Sequence, residues 1–124
     1  MQQHVRDGRP TVEVEIVSPE IAIATLRGEH DRGSQAELGD ELARASEHHY
    51  LLVDLGECAF LDSTVMGLLV VTCQRMWERD RRLELVIPRE AATIRRVLKI
   101  AGLTTFLTIH ETRGEALADV QSHD

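Results

Sequence analysis

Leu51-Leu52-Val53-Asp54-Leu55 and, past Gly56–Leu61, the run Asp62-Ser63-Thr64-Val65-Met66-Gly67-Leu68 decide the fold. The first is a short, nearly continuous apolar run, the mark of a strand covered on both faces or central in a sheet. Gly56 to Asp62 reads as a loop with Phe60 and Leu61 tucked inward. Ser63 reads as the N-cap of a helix reaching about Arg79. That helix carries Val65, Met66, Leu68, Leu69, Val70, Val71, Cys73, Met76 and Trp77. Apolar residues on so many sides predict a largely buried helix.

Working outward, the same alternation of strand and helix recurs. Val12-Glu13-Val14-Glu15-Ile16 has period two, so one face is buried and one is wet. Ser18-Pro19-Glu20 is a turn, and Ile21 to Leu26 is a second apolar strand, which together predict a hairpin. Gly28 to Gly33 is a polar loop, and Ser34-Gln35-Ala36-Glu37 matches a capping box opening a helix with Leu38, Leu42 and Ala45 buried. Leu83 to Ile87 is a strand stopped by Pro88. Ala91, Ile94, Val97, Leu98 and Ala101 recur at three and four, a helix ended by Gly102. Phe106 to Ile109 is a last strand and Gly114 to Val120 a last helix. The order β β α β α β α β α predicts a single α/β domain. Its sheet is mostly parallel with four to five strands, and about four helices pack on it. The domain spans 12–120, between a polar tail at 1–11 and a second tail at 121–124.

The chain has 124 residues, enough for one proper core. A hydrophobic fraction of 43% and a charged fraction of 28% exclude a disordered or collagen-like chain. The net charge of −7 argues against nucleic acid or an anionic membrane surface and suits protein partners. Met1 to Pro10 has no apolar signal core, and the longest apolar stretch, Val65 to Val71, is far short of a membrane span. Two cysteines in apolar stretches read as free structural thiols in a cytoplasmic protein. With the one lysine at Lys99, no Walker nucleotide loop exists.

Ser63 carries two readings. As a cap it accepts a first-turn N–H, worth about 1 kcal/mol. As a phospho-acceptor it exploits the free N–H groups and partial positive charge of a helix N-terminus. A phosphate there adds about −1.5 to −2 charge beside Asp62, a local electrostatic switch on whatever docks. The histidines lack metal spacing: His48-His49 are adjacent, His4, His110 and His123 are scattered, and His30 reads as an exposed loop imidazole. A metal site and a cofactor are therefore not expected. Arg75, Arg79, Arg81 and Arg82 form a basic cluster, read as a solvated face able to meet an acidic partner.

Asp62-Ser63-Thr64 after the strand at Leu51–Leu55 resembles the signature of STAS domains, and in particular of bacterial anti-sigma factor antagonists. Gly28-Glu29-His30-Asp31 is similar to the family's Gly-Glu-x-Asp element, and Leu83 to Leu103 fits its later half. The likeness covers roughly Val12 to Val120. It implies a protein with no catalytic activity of its own. Its unphosphorylated form would bind an anti-sigma factor that is also a serine kinase, freeing the sigma factor. Phosphorylation of Ser63 would end that binding, and a metal-dependent serine phosphatase would reset it. Thr64 is a second hydroxyl in the motif and the second choice of acceptor. Asp31, Asp62, Ser63, Thr64, Val65 and Met66 would form the partner-binding surface of a monomer.

Where the family commonly reads Gly-Leu-Gly after the hydroxyl pair, this chain has Val65-Met66-Gly67. Val65 either alters the partner fit or packs inward. A phosphate-independent STAS interaction or sensor module is the alternative. An aspartate-phosphorylated receiver would use Asp54 at the end of a central strand. Val17-Ser18-Pro19 supplies no acidic pair for it, and Lys99 lies on a helix. A hydrolase would need Gly-x-Ser-x-Gly, and Ser63 has no such flanks.

Overall fold

The computed structural model describes residues 9–105 and 107–122. The polar tail as far as residue 8, His4, Phe106 and His123 lie outside the described residues.

Five strands form one sheet: β1 (Thr11–Ser18), β2 (Ile21–His30), β3 (Tyr50–Leu61), β4 (Arg82–Val86) and β5 (Thr108–His110). Their spatial order is their chain order. β1 pairs antiparallel with β2 through the Pro19–Glu20 turn, and every later pairing is parallel. Four helices connect or close the sheet: α1 (Gln35–Ala45), α2 (Ser63–Trp77), α3 (Ala92–Ile100) and α4 (Arg113–Gln121).

The parallel strands advance in one direction, and each crossover obeys the same right-handed rule. So α1, α2 and α3 fall on one face. Their inward residues, including Leu38, Leu42, Val65, Leu69, Ile94 and Leu98, share one core with Ala24, Leu51, Val53 and Leu85. α4 follows the edge strand β5 and closes the other face. There Ala116 and Val120 cover Ile21, Ile23, Tyr50, Leu52 and Val86.

Several expectations need correcting. The stretches read as polar loops at Gly28–His30 and Gly56–Leu61 are continuations of β2 and β3. Their pairing survives two register shifts, one next to Gly28, whose φ of +84° a side-chain-bearing residue rarely adopts. Leu61 is buried, as expected, whereas Phe60 is 47% exposed because alternation sends it to the other face of the strand end. α2 is not buried all round. Val65, Leu69, Thr72 and Met76 line its inner face, Val71 is exposed and Trp77, its last residue, is 73% exposed. β1 begins at Thr11, α4 runs from Arg113 to Gln121, and β5 begins at Thr108, later than the pattern implied for the last strand.

Candidate functional site

The C-terminal ends of β2 and β3 sit side by side. The Asp62 amide donates to the His30 carbonyl at 3.2 Å, so the chain leaving β2 at Asp31 and the chain entering α2 at Ser63 diverge from one hydrogen-bonded pair. The two motifs are thus brought together at one end of the sheet, the usual place for a site in an open parallel sheet.

The cap of α2 is Asp62, not Ser63. Asp62 is extended, and its Oδ1 accepts the Val65 amide at 2.9 Å while its carbonyl accepts the Met66 amide at 3.0 Å. Ser63 is the first helical residue and is exposed, and its hydroxyl makes no hydrogen bond among the described residues. The Ser63 and Thr64 amides likewise have no partner among the described residues, as the first turn of a helix dictates. A free hydroxyl therefore stands beside two free donors at the positive end of a helix dipole.

Asp31 is exposed and folds its own turn: its Oδ1 accepts the Gly33 amide at 2.8 Å, starting a 3-10 turn over Arg32–Ser34. The Asp31 and Asp62 carboxylates, with the exposed Glu29, make this end acidic. Thr64 and Met66 are half-buried and can still meet a partner at the rim. Val65 cannot, because its side chain is fully buried in the core. The branched residue packs inward, so the partner-facing place expected of it is not available to it. The exposed Gly67 has open space where a side chain would stand, so a partner backbone can approach closely there.

His30 was expected in solvent and is instead 1% exposed. Its Nε2 lies 3.0 Å from the Thr11 carbonyl and its Nδ1 3.1 Å from Ser34 Oγ. The Thr11 carbonyl can only accept, so Nε2 donates to it, and Ser34 Oγ, which itself donates to the Asp31 carbonyl, is the neighbour of Nδ1. Ser34 occupies the N-cap of α1 yet makes no side-chain cap bond, so the capping box with Glu37 does not form. Its hydroxyl is engaged by His30 and lies 3.2 Å from the Asp31 carbonyl. His30 and the exposed Phe60 are the residues of this end that sequence reasoning misplaced. The Gly-Glu-x-Asp element hid the first, and an apolar neighbour hid the second.

The geometry also weighs against two rivals. A hydrolase would need a base at Ser63, but both nitrogens of His30 are engaged and His110 lies with Glu84 on the face that α4 covers. A receiver would need Asp54 open. Its Oδ2 accepts Arg113 Nε at 2.6 Å, its Oδ1 accepts the Gly56 amide at 2.8 Å, and its side chain is 14% exposed. Cys58 is 7% exposed, and burial pushes its thiol up to about 11, so it is no nucleophile. Burial raises the half-buried Cys73 as well, against a smaller opposing pull from Arg82. No helix among the described residues is long and apolar enough to cross a membrane.

A family model described as "Mlab, STAS domain" matches residues 18–109. No curated protein matches the sequence. Among solved structures, the unphosphorylated anti-sigma factor antagonist SpoIIAA is 22% identical, with a TM-score of 0.77 over 90% of this chain and 97% of that one. An anti-sigma factor antagonist from Mycobacterium paratuberculosis is also 22% identical, with a TM-score of 0.78 over 93% and 97%. A sulfate transporter family protein from Wolinella succinogenes is 17% identical, with a TM-score of 0.69 over 86% and 89%. At these identities the likeness to solved structures is one of fold.

Proposed function

Since the chain belongs to the STAS domain family, we propose that it is an anti-sigma factor antagonist working by partner switching, with Ser63 as the switch. The observation that carries this reading is the unengaged Ser63 hydroxyl on the first turn of α2, between the Asp31 turn and the Asp62 cap. Unphosphorylated, this end of the sheet docks an anti-sigma factor serine kinase, which then releases its sigma factor. The kinase supplies ATP. The Ser63 oxygen takes the γ-phosphoryl group, its proton passes to a base of the kinase, and ADP leaves.

The new group carries about −1.5 to −2 charge and rests on amides that are already free, so the helix accepts it without refolding. Asp31 and Asp62 already make the surface acidic, and the added charge overturns its complementarity to the partner. A metal-dependent serine phosphatase would return the chain to its binding form. In this reading the protein is a cytoplasmic monomer and not an enzyme, and Thr64 is the second choice of acceptor. That SpoIIAA, similar in fold, has been solved in both an unphosphorylated and a phosphorylated form supports a cycle of this kind.

A second reading, a phosphate-independent STAS interaction or sensor module, is favoured by the likeness to a sulfate transporter family protein. The experiment that separates them is capture of partners from native lysate on the purified chain, followed by addition of ATP and intact-mass analysis. The switch reading expects an ATPase-fold kinase and one phosphate on Ser63. Ser63→Ala should bind but take up no phosphate, and Ser63→Asp should bind at least about tenfold more weakly. Partners without any phosphate would establish the second reading, and tight binding by Ser63→Asp would remove the electrostatic switch.

A further inference from the structure

We propose that Glu84, His110 and Asp119 form a binding site for one divalent transition-metal ion of the Zn²⁺ class, on the sheet face opposite Ser63's helix. Their placement follows from the register. Val86 pairs with His110 across β4 and β5, so His110 and Glu84, two residues before Val86, share a face. That is the face α4 covers, and α4 brings Asp119.

His110 Nε2 lies 2.8 Å from Glu84 Oε1 and 3.6 Å from Asp119 Oδ2. One ligand atom from each of the three residues lies within 4.8 Å of the others. An ion with nitrogen and oxygen ligands at roughly 2.0–2.1 Å in tetrahedral array needs those atoms roughly 3.3 Å apart. The two short distances bracket that value, so a small shift of Asp119, on the half-buried helix rim, completes the set.

A second observation is independent of the clustering. Glu84 is 1% exposed, and its Oε2 is buried with no hydrogen-bond partner among the described residues. The Arg82 guanidinium is 3.0 Å away but outside hydrogen-bonding geometry. A buried carboxylate oxygen with an ion-pair neighbour but no hydrogen bond is costly. Bound to a metal through one oxygen and braced by a cation on the other, it takes the arrangement usual for metal-ligating carboxylates. One imidazole and two carboxylates suit Zn²⁺ and its neighbours rather than a soft ion, and leave a fourth position for water. With Glu84 and Asp119 against Arg82, the neutral-imidazole site carries net −1, which a cation offsets. The ion would join β4, β5 and α4, independently of any phosphate on Ser63.

The test is titration of Zn²⁺ alone into the full chain after chelator treatment, followed by calorimetry, with Co²⁺ as a coloured substitute. One ion per chain and the Co²⁺ absorption of a four-coordinate site are expected. His110→Ala and Asp119→Asn should each weaken uptake at least about tenfold. Asp119 is at the rim, so its variant remains informative should Glu84→Gln fail to fold. No saturable uptake would overturn the proposal, leaving Glu84 and His110 as a bare ion pair. Uptake unchanged in both variants would also overturn it, assigning the ion to other groups such as His48 and His49.

Discussion

Replacing Asp62 by alanine should damage the fold far more than replacing Ser63, although Ser63 stands in the motif. The Asp62 carboxylate holds the Val65 amide at 2.9 Å, whereas the Ser63 hydroxyl holds nothing among the described residues. Losing an N-cap of this kind costs about 1 kcal/mol. Losing a negative charge at a helix N-terminus adds about 0.3–1 kcal/mol. Asp62→Ala should therefore cost about 1–2 kcal/mol. At roughly 3–5 °C per kcal/mol for a domain of this size, the midpoint drops by about 3–10 °C. Asp62→Asn keeps an equivalent cap and should lose only the charge contribution. Ser63→Ala, at an exposed position, should stay within about 0.5 kcal/mol of the parent. Thermal melts followed by circular dichroism, backed by urea titration, measure all three. Should Ser63→Ala be as unstable as Asp62→Ala, the capping geometry is wrong and Ser63 is the cap after all. The free hydroxyl on which the switch depends would then vanish.

Leu69→Ala removes a fully buried side chain from the main core and should cost about 2–5 kcal/mol in urea, without a change in m. Arg113→Ala strips the cation from Asp54 and the partner from Thr25, which is 4% exposed. With Arg113 itself partly in solvent, a loss of about 1–2 kcal/mol is expected in the same assay. Iodoacetamide at pH 8 should leave Cys58 unmodified in the native protein and label it in denaturant, as mass spectrometry would show. Because the folded thiol keeps its proton up to about 11 and the unfolded one loses it near 9.0, Cys58 should also withdraw stability as pH rises between those values.

The element order was legible because each strand and helix carries its own period, from Val12-Glu13-Val14 in β1 to Ile94, Val97 and Leu98 in α3. What escaped was set by neighbours in space. Gly28–His30 and Ala59–Leu61 are polar or mixed, and they become strand only because each supplies the other's backbone bonds. α2 looked buried all round because its composition exceeds its contacts: Val71 and Trp77 face solvent. At the site, two cap-forming residues stand side by side, and nothing local decides between Asp62 and Ser63. Ser34 has the right spacing for a capping box, but a buried imidazole competes for its hydroxyl. The Glu84–His110–Asp119 cluster joins residues from two strands and a helix, with no spacing that a reader of the chain could recognise.

The strand order has a kinetic consequence. Each strand pairs only with the strands before and after it in the chain. Nothing has to be inserted between partners already joined, and no early strand must wait for a distant late one. A chain emerging from the ribosome can therefore lay each βα unit onto the edge its predecessor has just offered, N-terminal end first. Such short-range closure lowers the contact order and should make folding quick for a mainly parallel sheet. α4 seals its face last, since the β4–β5 pair beneath it must be in place before it can dock.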